Sequence, residues 1–516
     1  MPFKTKKLKT MKMKYFFVAM AALAAVACSE KNEAPQSNPE AGISADKGYI
    51  AINLKSSDDI TRAEGAEYAD GTADEQAVSA ATFYFFDAAG NAFNINANGN
   101  YFYVAVADNG STQAPNIESM TDPILVVEKY KGQFPAKIVA VVNYQGTASL
   151  SLNDLKNNLE TVGHTAGKNF VMTNSVYANA TGVQVDATEL TIDNFQTTAD
   201  RALENPVTIY VERVNAKLNV TAGTEAFDTG VALGETAIYA KVLGWNVIGN
   251  QTESYFVKSI DPTWTDAALG FVWNDAPYFR SYWTAKSVAD AVDNNFAYSE
   301  LTNNDTTSVY LGEQVGARST YVVAAQLQDA SGNAIEIAQW YGTNYVGEEA
   351  LLTAVAPTLK NKLMHFDGAS TYTSIDDSQL KCVAEMTDAE TYEVKFQLAD
   401  GVDTTNWYSF DGATYTAVDA NAVLSSIEPA KIWKDGMAYY FADVKHLGSA
   451  GTTGEYGIIR NHNYQIAVNG VKGWGTPVYD PNMEVIPVRP TDKETYISAE
   501  INVLSWRVVS YDVTLE

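Results

Sequence analysis

From Gly48 onward the chain repeats short apolar stretches with a period of two, and that period belongs to strands rather than helices. Ile50, Ile52 and Leu54 alternate with Ala51, Asn53 and Lys55, and Val207, Ile209 and Val211 alternate with Thr208, Tyr210 and Glu212. Residues 82–86 (TFYFF) and 138–142 (IVAVV) are apolar throughout, as strands covered on both faces are. Further strands are predicted over 321–327, 334–340, 437–441 and 464–468. Helical spacing is rare. Leu152, Leu155, Leu159 and Val162 follow Ser151 at such spacing and predict a helix over 151–162. A second short helix is predicted over 421–427. The expected fold class is therefore all-β with a few short helices. At roughly 100–200 residues per domain, a chain of 516 residues makes two or three domains. The Gly-, Ala- and Thr-rich stretch 221–234 puts the expected junction near residue 220.

One local similarity links the two halves. Asp87-Ala88-Ala89-Gly90-Asn91 and Asp329-Ala330-Ser331-Gly332-Asn333 each follow an aromatic or apolar strand. Asp and Asn tolerate turn geometry and Gly supplies positive φ, so both read as chain reversals. Their recurrence fits two β modules of related design, or simply two common turns.

The N-terminus reads as an address. Lys4, Lys6, Lys7, Lys9, Lys12 and Lys14 precede an apolar run from Tyr15 to Ala27, which ends in Ala25-Val26-Ala27-Cys28. The run is shorter than the roughly 20 residues a membrane span needs, and fits a secretory signal over 1–28. Small residues before Cys28 resemble a bacterial lipobox, with Ala25 where Leu is usual. The alternative is an ordinary signal peptide cut near Cys28. Residues 29–47 lack periodicity and read as a tether. Cys28 and Cys382 are the only cysteines, so acylation of Cys28 leaves no intrachain disulfide. Cys382 reads as a small buried hydrophobe.

Charge and motifs exclude several functions. A net charge of −27 offers no basic footprint for nucleic acid. His164, His365, His446 and His462 show no metal-ligand spacing along the chain, and no HExxH, GxSxG, phosphate loop or calcium loop occurs. No catalytic, cofactor or metal residue is assigned. His164 reads as a helix-end residue and His462 as a loop residue. Trp474, between two glycines, reads as a core residue rather than an exposed platform.

Two features fit together. Arg62 is the only arginine among the first 200 residues and lies in a polar, turn-prone stretch behind the Ile50/Ile52/Leu54 strand. Such stretches are where proteases cut. At the other end Val509, Tyr511, Val513 and Leu515 alternate with Ser510, Asp512 and Thr514, the pattern of a strand with one apolar face, which covers either its own core or that of another copy. Cutting at Arg62–Ala63 would free the Ile50/Ile52/Leu54 strand, and the 509–515 strand of a second copy could replace it. Insertion of that kind runs head to tail and builds a filament.

The order of these features resembles the Bacteroidales fimbrillins, specifically the major subunit of the short (Mfa-type) fimbria. The resemblance rests on Cys28, on 82–90, on Asn169-Phe170-Val171-Met172-Thr173-Asn174, on Val211-Glu212-Arg213-Val214, on Asn461-His462-Asn463-Tyr464 through Gly473-Trp474-Gly475-Thr476-Pro477-Val478, and on 503–515. It implies two transthyretin-like β-sandwich domains, over 63–220 and 221–516, after a propeptide of 29–62. It implies lipidation at Cys28, anchoring in the outer membrane, cleavage at Arg62–Ala63 by an Arg-specific protease, and a displaced strand holding Ile50, Ile52 and Leu54. It further implies a donor strand holding Val509, Tyr511, Val513 and Leu515. The implied partners are further copies of the chain, accessory anchor and tip subunits, and host or bacterial surface ligands, with no cofactor. The expected function is a structural subunit of a cell-surface fimbria supporting adhesion and biofilm. The alternatives are a tip or anchor subunit, or a glycan-binding surface lipoprotein.

Overall fold

The computed structural model describes residues 46–56, 71–76, 78–105, 117–119, 123–161, 170–178, 184–251, 253–261, 265–270, 296–314, 319–387, 392–487 and 507–515. Cys28, Arg62, Ala63 and His164 lie outside these residues. Strands dominate in sandwich-like layers, and the helices are few and short.

The first sheet curls around one core. Its strands lie in the spatial order Tyr101–Ala105, Ala80–Phe86, Lys137–Val142, Met172–Asn174, Val207–Arg213, Lys47–Ser56, Ile124–Glu128 and Ile117–Ser119. Alternate residues of these strands meet inside: Ile50, Ile52, Phe83, Phe85, Leu125, Val127, Ile138, Ala140, Val207 and Ile209 share one buried cluster. The two runs that are apolar on both faces have a second contact layer. Tyr84, Phe86, Val139 and Val141 pack outward on Leu152, Leu155, Phe256 and Val257. That second layer explains why the period of two is lost there.

The helix expected over 151–162 is shorter than its spacing suggested. It spans Leu152–Asn157 and is started by a capping box in which Ser151 and Asp154 satisfy each other's backbone N–H groups. Leu159 is instead the first residue of a strand, Leu159–Thr161, paired with Glu253–Tyr255. Sheet pairing overrides the spacing there. The second expected helix is present as Ala420–Ser425, capped by Asp419.

At Val214 the chain leaves the first sheet and enters a second sandwich. One layer holds Val309–Gly312, Asn215–Thr221, His462–Val471 and Arg507–Leu515, in that order. The other holds Phe227–Leu233, Thr236–Ile248, Thr320–Gln328, Met437–Asp443 and Thr476–Pro477. Leu218, Val220, Trp245, Val323, Tyr440, Tyr464 and Ile466 fill the space between. Residues 337–433 add a further core of their own, holding Leu351, Leu380, Cys382, Phe396 and Trp407. Cys382 is buried there, and burial, then the Glu348 carboxylate, pushes its thiol far above the ordinary value. Trp474 is buried against Trp433.

The two Asp…Asn turns have the same build. Asp87 Oδ1 accepts the N–H groups of Ala89 and Asn91, and Asn91 Nδ2 donates to Asp87 Oδ2. Asp329 holds Ser331 and Asn333 in the same way. Gly90 and Gly332 take φ of +86° and +84°, which a side chain would resist. Each turn brings the next residues back onto its own strand, by bridges Phe86–Ala92 and Gln328–Ala334.

Candidate assembly site

The opening strand, Lys47–Ser56, joins two parts of the first sandwich. Residues 47–51 pair antiparallel with Ile124–Glu128, and residues 52–56 pair parallel with Val207–Arg213. Tyr49 also exchanges two backbone hydrogen bonds with Gln196, each 2.8 Å long. Ile50 and Ile52 are fully buried in the core, and Leu54 is half-buried against it. The opposite face is covered too: Ala51 and Tyr49 pack beneath the short helix Ala199–Glu204, on Ala202 and Ala199.

The strand that ends the described chain, Arg507–Leu515, is held differently. Among the described residues it lies at the edge of its sheet, with His462–Val471 as its one paired neighbour, in parallel. Val509, Tyr511, Val513 and Leu515 take the register positions of Tyr464, Ile466, Val468 and Val471, which are core residues.

Parallel pairing of a first strand beside a later one occurs in both sandwiches. Lys47–Ser56 runs beside Val207–Arg213, and Asn215–Thr221 runs beside His462–Val471. The outer neighbour is antiparallel in each case: Ile124–Glu128 in one, Val309–Gly312 in the other. The two first strands differ in their tethers. Asn215–Thr221 follows its predecessor after a single residue, Val214. Lys47–Ser56 is separated from the next described residue, Gly71, by the segment 57–70 that contains Arg62.

Charged side chains fill the seam between the sandwiches. Arg460 donates from Nε to Glu313 Oε2 at 2.7 Å and from its other nitrogens to the carbonyls of Tyr255 and Phe256. Lys258 Nζ lies 3.5 Å from Glu212 and 3.8 Å from Glu313. All four side chains are almost wholly buried, and their charges balance. Nearer the opening strand, Glu75 is 1% exposed. Its Oε1 accepts from Lys217 Nζ at 2.9 Å and from the Tyr310 hydroxyl at 2.7 Å, while its carbonyl accepts from Arg213 Nε at 2.8 Å. Burial works against this carboxylate. The hydrogen bonds from Lys217 and Tyr310 outweigh it and hold the group below the usual range. Burial, then the Glu75 carboxylate, raises the Tyr310 hydroxyl.

His462 is not the loop residue expected. It is the first residue of His462–Val471, is 2% exposed, and its Nδ1 lies 2.9 Å from the Arg460 carbonyl. Its ring centre is 5.5 Å from that of His446, a proximity that chain spacing hides. Among the described residues no group of His, Cys, Asp or Glu is arranged to hold a metal ion, and no helix is long and apolar enough to cross a membrane. The seam was visible in sequence only as charges set inside apolar strands, Glu212-Arg213 and Arg460.

Comparison with known proteins bears on the second sandwich. Residues 431–512 match the family described as major fimbrial subunit protein type IV, fimbrillin, C-terminal. That span contains Met437–Asp443 and His462–Val471. No curated protein matches in sequence. Among solved structures, a candidate cell adhesion protein from Bacteroides eggerthii DSM 20697 is 10% identical, with 93% of this chain and 98% of that one covered at a TM-score of 0.35. A fimbrial assembly protein from Parabacteroides distasonis ATCC 8503 is 12% identical, covering 68% and 96% at 0.29. The C-terminally truncated tip fimbrial protein Mfa3 from Porphyromonas gingivalis is 12% identical, covering 69% and 99% at 0.25. Superpositions this loose carry no argument of their own. Residues 431–512 of this chain are thus similar to the C-terminal region of the fimbrillins, the family whose resemblance the sequence also carries.

Proposed function

We propose that this chain is a fimbrial subunit that polymerises, made as a lipoprotein precursor and completed by a neighbour's strand. The fimbrillin match supports the fimbrial role and a place at the cell surface. The observation that carries the finer reading is the seat of Lys47–Ser56. That strand holds two parts of a sandwich together, and the chain behind it passes through Arg62, the only arginine among the first 200 residues, before the next described residue, Gly71.

In this reading Cys28 carries lipid and holds the precursor at the outer membrane. An Arg-specific protease cuts Arg62–Ala63, the strand with Ile50, Ile52 and Leu54 leaves, and an open slot remains. Burying each large apolar side chain is worth roughly 1.5–3 kcal/mol, so an empty slot has a strong drive to refill. The strand with Val509, Tyr511, Val513 and Leu515, paired among the described residues with one neighbour, leaves its edge to pair in a second copy. Each copy gives and receives once, so the contact is head-to-tail and need not close, and a filament can grow. Anchor and tip subunits would terminate it. The fimbrial match supports a structural protein.

One observation favours ligand contact as well. Phe366, Tyr372, Tyr408, Phe410 and Tyr415 stack on one another on a half-exposed sheet face, with Tyr372 and Tyr415 centred 3.7 Å apart. Rings of this kind suit a glycan, which keeps a tip-type or glycan-binding role as the second reading.

The test uses purified precursor and an Arg-specific protease. An N-terminus at Ala63 together with SDS-resistant ladders, lost on deletion of residues 509–516, is the expected result. A clean cut that leaves only monomer would overturn the polymerising role.

A further inference from the structure

The segment Gly71–Gln76 is the first described chain beyond Arg62, and it is firmly held. Thr72 and Glu75 satisfy each other across one turn: Thr72 N–H donates to Glu75 Oε2 at 2.8 Å, and Glu75 N–H to Thr72 Oγ1 at 3.3 Å. Around Glu75 stand Arg213 from the end of one strand of the slot, Lys217 from the next sheet, and Tyr310 from its neighbour. Gly71 is fitted against Arg213. A Cβ there would fall 2.6 Å from the guanidinium Nη2, so a side chain would push the segment away. Arg213 is fixed from the far side as well, by Asn461 Oδ1 at 3.2 Å from Nη1.

The register places this cluster at one end of the slot. The opening strand pairs Ile52 with Val207, Leu54 with Ile209 and Ser56 with Val211. Two positions further stands Arg213, which binds Gly71–Gln76. A replacement strand running in the same direction can therefore pair as far as Val211 before it reaches that cluster. Residues 507–515 laid on 48–56 satisfy that limit. Val509 then takes the place of Ile50, Tyr511 of Ile52, Val513 of Leu54 and Leu515 of Ser56. Ser510, a small residue, takes the place of Ala51 beneath the helix Ala199–Glu204.

We propose that Gly71–Gln76 stays with the subunit after the cut and acts as a stop that sets how far a donor strand enters the slot, with Glu75 as its positioning residue. The idea rests on the strand-exchange reading above. A one-residue slip would turn every donor side chain to the wrong face, and the pleat itself forbids that. A two-residue slip keeps the face, so only a physical stop excludes it.

The experiment reads register by cysteine cross-linking in full-length precursor after the Arg-specific cut. One pair, Val207→Cys with Tyr511→Cys, reports the stopped register. The other, Ile209→Cys with Tyr511→Cys, reports entry two residues deeper. With Glu75 intact, the first pair should cross-link between copies at least tenfold more than the second. Glu75→Ala should bring the two yields within about threefold while ladders persist. Gly71→Ala, which keeps the Glu75 carboxylate in the chain but crowds both Arg213 Nη2 and Glu75, should do the same, and serves if Glu75→Ala does not fold. Unchanged preference for the first pair in a folded variant overturns the stop. Absence of ladders and of both cross-links in the parent protein overturns strand exchange itself, a different result.

Discussion

The opening strand and the strand Arg507–Leu515 have almost the same length and the same apolar alternation, yet the fold holds them in opposite ways. The first has partners along both halves and is covered on both faces. Among the described residues the second has one partner strand and ends a sheet. A strand between partners cannot leave without opening a core, whereas an edge strand leaves its sheet by giving up one ladder. Under the proposed exchange, the first is the strand that a cut would release and the second the one that would travel. The difference lies in their seats, not in their side chains.

The largest effect should come from emptying the first seat. Ile50→Ala or Ile52→Ala should destabilise the precursor by about 2–5 kcal/mol each, the usual cost of a large buried side chain reduced to alanine. The same changes should leave the cut subunit untouched, because it no longer contains them. Thermal melts of both forms check this. A precursor variant that melts with its parent would remove the contrast between the two strands.

A change in the seam supplies a reference of similar size. Arg460→Ala leaves Glu313 buried without its closest cation, and breaking a buried pair from one side costs about 3–5 kcal/mol. Both precursor and cut subunit should lose this amount, since neither depends on the opening strand for the pair. A loss confined to one form would show that the seam and the slot are coupled. Changing Arg460 and Glu313 together to apolar residues of similar size should recover part of the loss.

Deleting residues 507–515 should weaken the precursor by less than either isoleucine variant, because a single ladder is lost and the sheet keeps its other strands. Its consequence should appear in ladder formation instead. A deletion as damaging to the melt as Ile52→Ala would mean that the edge strand is a core element, and the comparison would fail.

Much of this was readable from periodicity. Alternation located the strands around Ile50, Val207 and Tyr464, and the doubly apolar runs at 82–86 and 138–142 are the ones packed on both faces. Gly90 and Gly332 marked the two turns. Periodicity failed where distant chain decided the outcome. Leu159 fits a helix by spacing and is a strand by pairing with Glu253–Tyr255. His462 looked like a loop residue between two asparagines, because the carbonyl and ring that bury it come from Arg460 and His446. Arg213, Lys217 and Tyr310, which meet Glu75 in the fold, lie more than 130 residues from it, and no local pattern announces them. The separate core of residues 337–433 was hidden for the same reason: its strands alternate as the others do.

The smallest effect concerns that carboxylate and separates the slot's two ends. Glu75 is held below its ordinary value of 4.5, so its ionised form is favoured by folding. A depressed group contributes stability that is fully present above the unfolded value and is lost as pH falls through the folded one. Glu75→Gln cannot titrate. The difference in melting temperature between the parent and Glu75→Gln should therefore be constant from about pH 8 to about pH 5 and shrink below that. Protection from hydrogen exchange at residues 71–76, measured against the intrinsic rate at each pH, should fall in the parent over the same acidic range, while protection along Ile124–Glu128, at the other end of the slot, should not follow it. If the melting difference instead grew as pH fell, Glu75 would be stabilised in its neutral form, and Lys217 and Tyr310 would not be what holds it.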